Sequence, residues 1–169
     1  MIRHACILIL VIFFGIFKAQ AQGKAPNASG PTIVAENANG EIVPDGLLDE
    51  PAWKGAATNV ELVQQSPKPG EPTRYNTRVR VLVTSDNLYF GLECDDPEPE
   101  KIAVHTMQRD GNVEGDDSIS IALDTYGDRR MGYFFRINAA GARVDGLISG
   151  PEHPRLDWDG IWDARTARH

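Results

Sequence analysis

Two short segments, Ser118–Asp124 (S-I-S-I-A-L-D) and Gly132–Asn138 (G-Y-F-F-R-I-N), constrain the fold of this chain more than any other feature. Each alternates apolar and polar residues with period two, the pattern of a strand with one buried face. The stretch T-Y-G-D-R-R-M between them reads as a turn, so the two pair as a hairpin. Setting Ile121 opposite Phe135 also sets Ile119 against Ile137 and Leu123 against Tyr133. A slip of one residue would turn that whole face to water, so the register is well specified. On the second face the same register aligns Ser118 with Asn138, Ser120 with Arg136 and Ala122 with Phe134. A forked cationic donor, an amide and an aromatic ring among small residues suit a polyhydroxylated ligand. Its hydroxyls take planar donors and its C–H faces take a ring.

The N-terminus reads as a secretory signal peptide over residues 1–21. Arg3 and His4 form the charged start, Ile7 to Phe17 the apolar stretch, and A-Q-A at Ala19–Ala21 the small-residue cleavage site. The apolar stretch is too short for a stable membrane-spanning helix, and no second apolar span follows. The expected location is therefore outside the cytoplasm: periplasm, cell surface or extracellular space. The formal charge is −7, and removal of Arg3 and Lys18 with the leader makes the remainder more acidic still. That balance argues against nucleic-acid binding, which needs a basic stripe. Cys6 is expected to leave with the leader, so no disulfide within the mature chain is expected at Cys94. It alternates with Leu88, Phe90 and Leu92 and reads as a small buried hydrophobe.

Residues 22–41 read as a flexible leader, with Gln22–Pro31 rich in Gly, Pro, Asn, Ser and Ala and a strand expected at Thr32–Ala35. The domain proper is expected over residues 42–169. Ala52–Ala57 is expected to form a helical turn with Trp53 packed inward, and Val60–Gln64 a short strand. Thr77–Thr84 and Leu88–Cys94 form a second hairpin about Ser85-Asp86-Asn87. Ala139–Ala142 reads as a turn leading into a strand at Arg143–Ile148. If Asn138 pairs with Arg143 there, Asp145 lies opposite Arg136. The stretch from Gly150 on, with Trp158 and Trp162, reads as an irregular tail without a closing strand. Many short strands with regular turns predict an all-β antiparallel sandwich of jelly-roll or immunoglobulin-like type.

D-G-L-L-D-E-P-A-W (Asp45–Trp53) resembles the opening motif of family 9 carbohydrate-binding modules. The resemblance continues through Thr77–Asp96, through D-D-S-I-S-I-A-L-D (Asp116–Asp124) and through F-R-I-N (Phe135–Asn138), in order and at matching spacings. It is closest to a branch that carries L-D-T-Y-G-D-R-R, G-Y-F-F-R-I-N-A-A-G and V-D-G-L together. In that branch the domain stands at the N-terminus of exported proteins, often ahead of an outer-membrane β-barrel of unassigned function. The resemblance implies a non-catalytic module that binds an oligo- or polysaccharide, linked to polysaccharide breakdown or uptake. It also implies association with outer-membrane proteins. Arg136 and Asn138 fall on the pair of donors that hold the terminal sugar in sugar-binding members. Ser120 stands where those members have a carboxylate, and Glu114 where they have the first of two stacking tryptophans. The family's final strands have no counterpart after Trp162, so the expectation is a sandwich lacking them.

Each candidate also has a structural reading. Arg136 pairs with Asp145 across the next strand, or it meets a ligand. Asn138 caps the turn at Ala139–Ala142, or it meets a ligand. Phe134 and Tyr89 are candidate platforms, Trp53 belongs to the core, and Trp158 and Trp162 are open to either role. Asp110, Asn112, Glu114 and Asp116 offer oxygens at alternate positions with Gly115 among them, a partial imitation of a calcium loop. The residue at the place of the bidentate glutamate is Ile121, so this is no EF-hand, and the loop is either a different Ca2+ site or a solvated acidic turn. His4, His105, His153 and His169 show no ligand spacing, and the chain has no P-loop and no nucleophile elbow. The expectation is a domain that is not an enzyme, with a periplasmic structural or interaction domain lacking sugar affinity as the alternative.

Overall fold

The computed structural model describes residues 5–13, 33–56, 58–150 and 153–168, with only the course of the strand described for 5–13 and 58–60. The rest of the expected signal peptide, its cleavage site Ala19–Ala21 and the stretch Gln22–Pro31 lie outside the described residues.

The described chain is all-β. Its strands are β1 (Ala5–Phe13), β2 (Glu36–Asn37), β3 (Thr58–Val60), β4 (Thr77–Val83), β5 (Asn87–Asp95), β6 (Ser118–Leu123), β7 (Met131–Asn138), β8 (Arg143–Ser149) and β9 (Trp162–Arg168). Among the described residues, helical structure is confined to 3-10 turns at Pro51–Lys54 and Pro99–Lys101. A six-stranded sheet runs β2-β4-β5-β1-β9 with β3 also on β4, and a three-stranded sheet runs β6-β7-β8. The described pairs between strands are antiparallel except β2 with β4. No helix among the described residues is long and apolar enough to cross a membrane.

One apolar core lies between the sheets. Val81, Phe90, Leu92, Trp162 and Ala164 of the large sheet meet Phe135 and Ile137 of the small one. The alternation in β4 and β5 feeds this core with every second residue and sends the others to the outer face. There Leu82 and Tyr89 pack with Ile42, Trp53 and Ala56 in a second cluster. Gly91 sits beneath it, and a Cβ at that position would come within 3.0 Å of the Trp53 ring. Further along the same outer face Arg78 pairs with Asp95 through two hydrogen bonds of 3.2 and 2.9 Å and with Glu93 at 3.3 Å. Arg80 also pairs with Glu93. The hydrogen bonds that Arg78 donates to Asp95, opposed by burial and aided by Glu93, hold its guanidinium above the ordinary pKa.

The hairpin of β6 and β7 has the register expected from alternation, from Ser118 opposite Asn138 to Leu123 opposite Tyr133. Three expectations need correction. Ile33–Ala35 is not a strand, and β2 starts one residue later. β3 ends at Val60, beyond which only an isolated bridge joins Val63 to Pro72. Trp162–Arg168 is a strand rather than irregular tail, because Trp162 and Ala164 point to the core while Asp163 and Arg165 point away from it.

The register of β8 is also corrected. Asn138 N–H donates to the Ala142 carbonyl at 3.0 Å, so the connecting loop is the three residues Ala139–Gly141. Gly141 has φ +87°, the left-handed residue that closes a three-residue hairpin loop. The expected four-residue loop would have placed Asp145 opposite Arg136. Instead Val144 lies opposite Arg136, and Asp145 lies opposite Phe135. A shift of one residue exchanges the faces of the strand.

Candidate functional site

Three of the four residues chosen from sequence come together on the face of the small sheet away from the core. Arg136 on β7 donates from Nε to Ser120 Oγ on β6 at 2.8 Å. Its guanidinium also lies 5.2 Å from the centroid of the Phe134 ring, two residues back on the same face. The ring and the hydroxyl fix the plane of the guanidinium. Asp145, the partner that would have neutralised Arg136, is on the other face. Among the described residues Arg136 has no ion pair, which leaves its terminal N–H groups available. Val144, opposite Arg136, is covered by Val113, so the loop before β6 forms a wall beside the cation.

Asn138 has a different role. It is 1% exposed, and each of its polar side-chain atoms is used within the protein. Nδ2 donates to the Thr106 carbonyl at 2.8 Å and to Asp116 Oδ2 at 2.7 Å. Oδ1 accepts from the backbone N–H groups of Ala140 at 3.1 Å and Ala142 at 2.8 Å. The amide thus closes the Ala139–Gly141 loop and anchors the loop of residues 103–117 to the end of β7. Its place in the register was legible in the sequence, but its direction was not.

The four oxygen ligands considered for calcium do not gather. Asp116 accepts from the His105 backbone N–H at 2.8 Å and shares a hydrogen bond with the His105 ring, besides the bond from Asn138. The Asn138 hydrogen bond, with further help from His105 and against the cost of burial, lowers the Asp116 pKa below 3.8. Asn112 Oδ1 turns back to the Glu114 backbone N–H at 2.9 Å. Asp110 belongs to another group, with Asp145 and Asp159. Arg109 stands among these three, 2.7 Å from Asp145 Oδ1, 3.2 Å from Asp110 and 3.5 Å from Asp159. Asp145 is 1% exposed and also accepts from the Gly160 backbone N–H. A guanidinium already supplies the positive charge there, so neither arrangement suits a calcium ion.

A cavity of about 220 Å3 opens where the ends of β5 and β7 meet the start of β6. Cys94, Ile102, Ile119 and Ile137 line it, together with Asp95, Asp96 and Asp117. Its wall is mostly apolar and includes Asn138 but not Arg136, Phe134 or Ser120. Cys94, expected to be buried, is half-buried, because it lines this cavity while Leu92 and Phe90 on the same face are buried.

Sequence reasoning missed Arg109 and the structural use of Asp116. The signal for Asp116 was the D-D pair before β6, where a short acid beside a strand end is placed to accept from neighbouring backbone. For Arg109 no local pattern existed, since its partner Asp145 lies 36 residues away.

No protein-family model, curated protein or solved structure matches the chain.

Proposed function

We propose that this chain is a non-catalytic carbohydrate-binding domain of an exported protein. Its two sheets would form a sandwich of the jelly-roll or immunoglobulin-like type, acting at the cell surface, in the periplasm or outside the cell in polysaccharide breakdown or uptake. The supporting observation is Arg136. A guanidinium oriented by Ser120 and Phe134, with no carboxylate on it among the described residues, is a preset donor beside an aromatic ring. Neighbouring hydroxyls of a sugar fit such a fork, and the edge of the Phe134 ring offers an apolar contact. Asn138 serves this reading from behind, by fixing the loop that walls the site. The test is calorimetric titration with cello- and xylo-oligosaccharides, with Arg136→Ala and Phe134→Ala alongside. Saturable heat that both variants reduce at least tenfold supports the reading, and its absence from a cooperatively folded protein removes it.

A second reading, a periplasmic interaction domain of an outer-membrane protein without sugar affinity, is favoured by a different observation. Among the described residues, β5 and β9 of the large sheet are joined only through β1.

A further inference from the structure

Acidic residues outnumber basic ones in this chain, 24 to 17, so an arginine without a carboxylate is the exception. Arg78, Arg80, Arg143 and Arg165 stand in strands and follow that expectation. The first two reach Glu93, and the last two reach Asp163. Arg136 does not. Across the strands it faces Ser120 on β6 and Val144 on β8, and among the described residues no carboxylate reaches it.

The ground around Arg136 is low. Phe134 lies opposite Ala122 on β6 and Gly146 on β8, with Gly132 two places back along β7. A Cβ on Gly146 would collide with the Arg155 carbonyl oxygen and stand 3.1 Å from Leu156 Cδ2. The ring and the guanidinium thus rise from a floor of small residues. Val113 forms the wall beside Arg136, and Leu156, 57% exposed, lies beside Gly146.

The polar groups there are donors. Nε is taken by Ser120 Oγ, which leaves the terminal nitrogens of the guanidinium for a ligand. A hydroxyl both accepts and donates, whereas a carboxylate only accepts. A neutral sugar on Arg136 would lend it lone pairs and leave the hydroxyl hydrogens to water. A carboxylate has no hydrogen to place. It neutralises the cation and matches the planar fork with two parallel bonds.

We propose that the Arg136 site binds a uronate, the carboxylate of an acidic sugar within an oligo- or polysaccharide, in preference to the neutral counterpart. The proposal rests on the carbohydrate-binding reading and names the ligand class of that same site. The carboxylate pairs with the terminal nitrogens of Arg136, and the C–H face of the sugar ring lies on Phe134. The acidity of the whole chain does not forbid this. Charges more than about 8 Å away are largely screened at physiological ionic strength. Asp145 is turned to the other face, where Arg109 holds it.

The full chain is titrated calorimetrically with an oligogalacturonide, an oligomannuronate and a glucuronoxylo-oligosaccharide. Each is run beside its methyl ester, which removes the charge and keeps the sugar. The expected result is saturable binding of at least one acid form, about tenfold tighter than its ester. That preference should shrink in about 1 M salt. Arg136→Gln should bind acid and ester alike, and Arg136→Lys, which keeps the charge without the fork, should retain only part of the preference. Circular-dichroism melts establish that each variant is folded, and the acid–ester comparison on the unaltered chain needs neither variant. Equal binding of acid and ester overturns the proposal and leaves the carbohydrate reading standing. Binding of cello- or xylo-oligosaccharides without any of the acids has the same meaning, as does a preference that survives in folded Arg136→Gln. Absence of heat with every acid, ester and neutral oligosaccharide removes both.

Discussion

Asn138 Nδ2 and Asp116 Oδ2 lie 2.7 Å apart, and that hydrogen bond joins the end of β7 to the loop before β6. The carboxylate is held ionised by the amide donor first and by His105 after it. The Asp116 pKa is lower in the folded protein than in the unfolded chain. Its contribution is therefore fully present above the ordinary value of 3.8 and is lost as pH falls through the folded value. Carbon-detected NMR of the carboxyl groups should show Asp116 titrating below 3.8, and Asn138→Ala should move it upward. The same variant should lower stability by about 2 kcal/mol in urea melts, because it leaves the Ala140 and Ala142 backbone N–H groups without their acceptor.

The separation of Arg136 from Asp145 can be read in a double-mutant cycle. Arg136→Ala and Asp145→Ala should add within about 0.5 kcal/mol, as residues on opposite faces do. Arg109→Ala and Asp145→Ala should couple by about 1–3 kcal/mol, since they share a hydrogen bond of 2.7 Å. Additivity in both pairs would mean that Asp145 is not held by Arg109.

Gly141→Ala places a Cβ at φ +87° and should cost about 1 kcal/mol in chemical denaturation. Because the substitution leaves the Arg136 face untouched, any sugar affinity should stay within a factor of two in calorimetry.

Calcium at millimolar concentration should leave the thermal melt unchanged, since Asp110 faces Arg109 while Asp116 faces Asn138 and His105. A rise of several degrees that scales with calcium concentration would show a site elsewhere in the fold.

The hairpins were legible because their alternation is strong. Ile119, Ile121 and Leu123 leave a single register against Tyr133, Phe135 and Ile137, and the structure has it. β9 was illegible because its inward positions after Trp162 include Ala164, too small to register as an apolar stripe. The direction of Asp145 depended on whether a loop held three residues or four, which alternation cannot tell. The run Ala5–Phe13 shows a different limit. A leader and a strand paired along both edges can share the same continuous apolar composition, so the letters alone fit both. At the candidate site, the face of Arg136, Ser120 and Phe134 followed from period two. The inward turn of Asn138 did not, because it depends on Thr106 and Asp116, which approach from a distant loop.

The three-residue loop at Ala139–Gly141 has an effect beyond its own geometry. Were the loop to take in Ala142 as a fourth residue, every side chain of β8 would rotate to the opposite face, bringing Asp145 opposite Arg136 and stripping Arg109 of its buried partner. A length change of this kind, remote from any ligand contact, would convert an available cation into half of an internal salt bridge. On the sugar-binding reading proposed above, the register set by this loop decides whether the donor is available before any ligand arrives.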